Sequence, residues 1–158
     1  MSEQRSVAVQ VAGLELYEGW QTDIGRLNCS QQEIMDFAKF VDPLPFHVDE
    51  AAAKEGLFGG IVASGAHLYI EFHKRWFVPA VGSTVLCGLG IQNWNFHQPH
   101  FPGVEYKGKI TVLELAPKPE KGTVRVHWHY TFWAPDGNLA QEIEVRVLHR
   151  MDRQNPSA

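Results

Sequence analysis

The run GGIVASGAHLYIEFHKRWF, Gly59 to Phe77, decides the fold. Its apolar residues, Ile61, Val62, Ala66, Leu68, Tyr69, Ile70, Phe72, Trp76 and Phe77, are too evenly spread for a narrow amphipathic stripe. The pattern therefore predicts a helix that starts after Gly59 and Gly60 and is wrapped by other structure on most sides. Ser64 and Gly65 fall at its N-terminal turn. Downstream the hydrophobic period changes to two: Val104 to Leu115, Thr123 to Trp133 and Leu139 to Met151 read as strands. They are joined by the turn signals Ala116 to Gly122 and Pro135 to Asn138. Ser83 to Phe96 reads as a further strand, and Val7 to Tyr17 as one at the other end. The sum is an α+β domain, a long central helix against an antiparallel sheet.

Upstream of the helix, Ser30 with Glu33 three residues later matches a capping box, and Ile34, Phe37, Ala38 and Val41 share one helical face. That helix, Ser30 to Phe40, stops before Pro43, because proline disfavours helical geometry in the residue before it. A short helix is predicted over Asp49 to Glu55, with Asp49 as N-cap and Gly56 as the stop.

The 158 residues, 44% hydrophobic and 20% charged, suit one domain over residues 1–151, followed by a loose polar tail over 152–158. A net charge of −4 gives no overall basic field to recruit nucleic acid or an anionic membrane. Two cysteines, Cys29 and Cys87, make no disulfide framework, and Met1 to Gln10 has no apolar run after a basic segment. A reducing, cytoplasmic location is expected. From Leu57 to Val104 the only charged side chains are Glu71, Lys74 and Arg75. Pro79, Pro99, Pro102 and several glycines break this stretch, so it is no membrane span; it is expected to be core plus a subunit interface.

The residues that carry chemistry stand between the two helices, in FAKFVDPLPFHVDEA, Phe37 to Ala51. Asp42 ends a helix, two prolines stiffen the link, and His47 follows five residues on, so an acid and a base share a rigid loop of short reach. Spacing alone leaves a second reading open, in which Asp42 caps the turn and His47 is a satisfied loop histidine. The combination Asp42-x-x-Pro45-x-His47, Ala51 to Ala53 and Phe58-Gly-Gly-Ile-Val-Ala-Ser-Gly65 resembles the MaoC-like dehydratases, whose best-known members are (R)-specific enoyl-CoA hydratases. The similarity runs from about Leu27 to Arg150; its later part rests on strand order and on the turn Pro99 to Gly103.

The resemblance implies a hot-dog fold, with Asp42 and His47 as catalytic dyad and the Gly65 N–H as donor to the thioester oxygen. The carbonyl would lie at the positive end of the helix dipole, where developing enolate charge is favoured. His47 would take a proton from a water that attacks C3, an imidazole titrating near about 6.5 in its ordinary state, while Asp42 orients the water and shares in returning a proton to C2. The substrate implied is an acyl-CoA, the assembly a homodimer or higher homo-oligomer, and the reaction needs no cofactor. Leu44 and Ser64 depart from the pattern, since many characterised members carry Asn and His there.

Trp94 and Phe96 are candidates to line an acyl tunnel, Ser64 to meet substrate beside Gly65, and Lys74 and Arg75 to meet the phosphates of coenzyme A, as are Lys107 and Lys109. His127 and His129 share a strand face near His97 and His100, but no carboxylate at fixed spacing accompanies them, so no metal site is expected. Val124, Val126, Trp128, Tyr130 and Phe132 read as core. Two rival functions remain: a thioesterase on the same fold, and a non-catalytic acyl-thioester-binding module.

Overall fold

The computed structural model describes residues 7–154. Five antiparallel strands, β3 (Gln21–Asn28), β4 (Val85–Phe96), β5 (Glu105–Lys118), β6 (Thr123–Trp133) and β7 (Leu139–Arg150), form one sheet in the order β3-β5-β6-β7-β4. A hairpin of β1 (Val9–Val11) and β2 (Leu14–Leu16) stands apart. Between β3 and β4 run α1 (Gln31–Val41), α2 (Pro45–Val48), α3 (Glu50–Glu55) and the central helix, which comprises α4 (Ala66–Phe72), a π-helical turn His73–Phe77 and α5 (Val78–Val81).

Period two places Val124, Val126, Trp128, Tyr130 and Phe132 of β6 on the inner face, where all five are fully buried. Leu68, Phe72 and Phe77 of the central helix pack on them, Phe72 stacking on Phe132 at 5.0 Å. The helix lies so close to the sheet that a Cβ at Gly108 would come within 2.7 Å of Phe72 and Ile24 side-chain atoms. This is the helix-in-sheet arrangement expected of a hot-dog fold. The π turn has a local cause: Pro79 lacks the N–H that would reach back one turn, and its ring crowds the carbonyl there, so the helix widens just before it.

Several boundaries differ from the sequence reading. The central helix begins at Ala66, because Ile61 to Ala63 run extended as their backbone is engaged elsewhere: Val62 N–H donates to Phe46 C=O at 3.3 Å and Ala63 N–H to His100 C=O at 2.8 Å. Val7 to Tyr17 is a hairpin turning at Ala12 and Gly13, both at positive φ. Strand β3 escaped the period-two reading because a bulge between Asp23 and Gly25 brings Ile24 and Leu27, three apart, to the same buried side. Strand β5 runs into the expected turn and ends at Lys118. Asp152 is no loose tail: its carboxylate accepts from Ala12 N–H at 2.9 Å and Gly13 N–H at 2.6 Å, pinning the hairpin turn. Residues 155–158 of the expected tail lie outside the described residues.

The charge-poor segment is buried only in part. Its helical half is buried on one side, through Leu68, Phe72, Phe77 and Val81, and leaves Leu57, Ile70 and Val78 exposed, so the helix is not wrapped on most sides of a single chain; β4, at the sheet's edge, leaves Leu86, Leu89, Ile91 and Phe96 exposed. No helix among the described residues is long and apolar enough to cross a membrane.

Candidate active site

Asp42 closes α1, its N–H donating to Ala38 C=O at 2.8 Å. The Ser30–Glu33 capping box fixes the other end of that helix, as the sequence indicated. The link that follows is more ordered than a stiff loop. Pro45, with φ already helical and no N–H to satisfy, starts the single turn α2, and His47 sits inside it.

The His47 ring is buried and directed by one bond, with Nδ1 2.6 Å from Val62 C=O. A carbonyl only accepts, so Nδ1 carries the hydrogen, and Nε2 is the nitrogen left for chemistry. Nε2 lies 3.4 Å from Asp42 Oδ2. The same carboxylate oxygen accepts from Ser64 Oγ–H at 2.9 Å. Ser64 Oγ in turn lies 3.4 Å from the Ala66 N–H at the start of the central helix. Ser64 thus ties the acid to the helix start, a role beyond the one its sequence position suggested.

Gly65 is the N-cap of α4, and its carbonyl accepts from Gln141 Nε2 at 2.7 Å, anchoring the turn to β7. The Ala66 and His67 N–H groups are engaged with Ser64, and these bonds leave out the Gly65 N–H. Its φ of −55° suits any residue; a side chain there would instead have to displace the exposed Phe96 ring. An added Cβ would lie 2.5 Å from Phe96 Cε1, so the Phe96 ring rests directly on Gly65.

Asp42, His47, Ser64, Gly65 and Phe96 therefore line one cleft of about 710 Å³, whose walls include the apolar side chains Val41, Phe46, Phe58 and Val62. The other expected residues fall elsewhere. Trp94 adjoins the cleft behind Phe96, with ring centroids 5.7 Å apart. Lys74 and Arg75 lie outside the lining and pair with Glu71 at 3.6 and 3.2 Å. Leu44 is half-exposed at the N-cap of α2 and does not line the cleft.

Among the lining residues not singled out for this site, two are polar and buried, Gln141 and His100. Gln141 occupies the inward phase of β7 with Ile143, Val145 and Val147, and a polar residue in an apolar phase was the available signal. His100 is buried against Tyr106 at 4.6 Å, both ring nitrogens lacking partners. Burial, with a smaller contribution from His67, pushes its pKa down to about 3, so it is neutral at ordinary pH. On the outer sheet face His129 pairs with Glu142 and His127 lies 3.2 Å from Glu144, while His97, just past β4 and in the cleft lining, reaches the same Glu142 at 2.7 Å. No group of three or more His, Cys, Asp or Glu among the described residues is placed to hold a metal ion.

An α+β sheet wrapped on a central helix, with an acid, an imidazole and Gly65 at the helix start around one cleft, defines a hot-dog domain with a polar site at the helix start. The chain belongs to the MaoC-like domain family, whose model matches residues 16–131. The uncharacterized protein YdeM of Bacillus subtilis (strain 168) is 34% identical over 93 residues, 58% of this chain; the match spans 66% of that relative, just under two thirds of its length. A MaoC-like dehydratase from Rhodospirillum rubrum is 28% identical, with a TM-score of 0.75 over 88% of this chain and 96% of that one. The R-hydratase PhaJ1 of Pseudomonas aeruginosa (20% identity, TM-score 0.69, 97% of both chains) and the (R)-hydratase of A. caviae (24%, 0.65, 84% of this chain and 96% of that one) share the fold.

Proposed function

We propose that this protein is a hydro-lyase acting on acyl thioesters, adding water to 2-enoyl-CoA to give 3-hydroxyacyl-CoA and reversing the same steps in dehydration. The observation that carries the reading is the approach of His47 Nε2 to Asp42 Oδ2 in a cleft that Gly65 also lines. Family membership and two neighbours that are themselves R-hydratases support it.

The chemistry follows from the donors. With Nδ1–H committed to Val62, His47 presents an Nε2 lone pair beside a carboxylate, and a water held between these two acceptors gives each a hydrogen. His47 takes one proton as the water oxygen bonds C3. The C2–C3 π pair moves toward the thioester carbonyl, whose oxygen receives the Gly65 N–H at the helix start. The proton then returns to C2 through His47 and Asp42, the carbonyl re-forms, and no group is left changed.

A second copy of this chain completes the assembly. The free edge of β4, with Leu86, Leu89, Ile91 and Phe96 exposed, is a row of unpaired backbone groups flanked by apolar side chains, a surface that pairing with another copy buries.

The test is a small panel of 2-enoyl-CoA esters followed by loss of enoyl-thioester absorbance. Asp42→Asn and His47→Ala each lower turnover by at least about 100-fold with the protein still folded. Release of free thiol with the enoyl group intact would instead establish a thioesterase, and near-normal rates in either variant would remove that residue from the mechanism.

A further inference from the structure

Two cavities border the central helix, and one aromatic column stands between them. The first is the catalytic cleft, walled by Gly65 and Ala66 on the helix and Phe96 on β4. The second, of about 630 Å³, lies farther along the same helix and the same strand, among Tyr69, His73, Phe77, Ile91, Val145 and Val147. Its lining is apolar apart from Tyr69 and His73, and the His73 Nδ1 is engaged with the Tyr130 hydroxyl at 3.0 Å.

The column is built of three rings. Phe96, on the cleft side, lies 5.7 Å from Trp94; Trp94 meets Tyr69 edge-on, also at 5.7 Å; and Tyr69 lines the second cavity. Trp94 itself lines neither space. Its indole N–H is buried with no hydrogen-bond partner, so packing alone holds the ring in place. A buried, unpaired donor is unfavourable, so what the indole contributes here is bulk.

We propose that Trp94 is a specificity-determining residue that ends the acyl site at this column. Short-chain acyl thioesters are accepted, and longer apolar tails are refused because the second cavity is walled off. This rests on the acyl-thioester reading of the cleft and adds the substrate class to it. With the thioester oxygen on Gly65 and the reacting carbons at Asp42 and His47, a tail running along the helix meets Phe96 and then Trp94. Shrinking the indole joins the two cavities into one channel.

The experiment compares kcat/KM for a four-carbon and an eight-carbon 2-enoyl-CoA in the wild type, Trp94→Ala and Trp94→Leu. Wild type favours the four-carbon ester. Trp94→Ala raises the eight-to-four ratio by at least about 10-fold, since a methylene gaining an apolar pocket is worth about 10- to 200-fold. Trp94→Leu, which keeps more of the packing and is the safer fold, moves the ratio the same way by less. Calorimetric dissociation constants for butyryl-CoA and octanoyl-CoA, which need no turnover, shift in parallel. A wild type that prefers the eight-carbon ester, or an unchanged ratio in a folded variant, overturns the wall. If no enoyl ester is consumed yet the calorimetric ratio shifts, the wall stands and the hydratase reading fails.

Discussion

Ser64→Ala separates positioning from folding at this site. The Ser64 hydroxyl donates to Asp42 Oδ2 at 2.9 Å, a bond to a charged acceptor worth about 1.5–3 kcal/mol. Asp42 is 37% exposed at its side chain, so water replaces part of the lost bond and the lower end of that range applies. If the bond holds the carboxylate where the attacking water needs it, that energy is lost from the transition state, and kcat falls by about 10-fold. Stability falls by about 1–2 kcal/mol, or about 2–8 °C in Tm, because the bond to the part-exposed Asp42 is lost from the fold as well, whereas the second partner, the Ala66 N–H, is 3.4 Å from Oγ and adds little. The assay is steady-state loss of enoyl absorbance beside thermal unfolding, run as a cycle with Asp42→Asn. In the Asp42→Asn background, Ser64→Ala costs little further, since the acceptor it served has changed. A wild-type kcat for Ser64→Ala, or an equal fold-loss in both backgrounds, would refute the reasoning.

Two further outcomes are expected. His149, fully buried, is held neutral: its Nε2 accepts from Trp128 Nε1–H at 3.0 Å and its Nδ1 lies 2.9 Å from Thr84 Oγ1, whose own hydrogen goes to Val81 C=O. Burial pushes its pKa down to about 4, so the unfolded chain binds this proton first on acidification. The contribution is fully present above about pH 6.5 and is lost as pH falls toward about 4, amounting to about 3 kcal/mol. Urea midpoints measured across that window fall more steeply in wild type than in His149→Phe; equal slopes would count against it. Light scattering should find a dimer or larger assembly, and Leu89→Lys with Ile91→Lys on the β4 edge should shift it toward monomer; a monodisperse, active wild-type monomer would contradict the pairing.

What the sequence revealed of this molecule tracks how local each signal is. The α1 capping box, the Asp49 cap of α3 and the alternating β6 residues each declare themselves within a few positions, and all three hold. Strand β3 was hidden because its bulge at Gly25 breaks the alternation by which a strand is recognised. The start of the central helix was placed too early because Ile61 to Ala63 are apolar for another reason: they lie buried against α2 and the segment after β4, bonding the carbonyls of Phe46 and His100 there. The candidate dyad was legible from its spacing and resemblance. The bond from Ser64 to Asp42 spans 22 positions and has no local mark.

The site's geometry therefore belongs to three separated segments that meet. Asp42 comes from the end of α1, His47 from α2, and Ser64 and Gly65 from the turn into the central helix. Three bonds hold these segments in place: His47 Nδ1–H to Val62 C=O, Ala63 N–H to His100 C=O, and the Gln141 amide on β7 to Gly65 C=O. Because none of those ties uses the side chain of Asp42 or Ser64, changes there leave them standing. Gln141 is different in kind. Its amide holds the Gly65 carbonyl from the sheet, so the position of the proposed oxyanion donor is set by the register of β7, and a change at Gln141 displaces Gly65 while leaving the dyad's own contacts untouched.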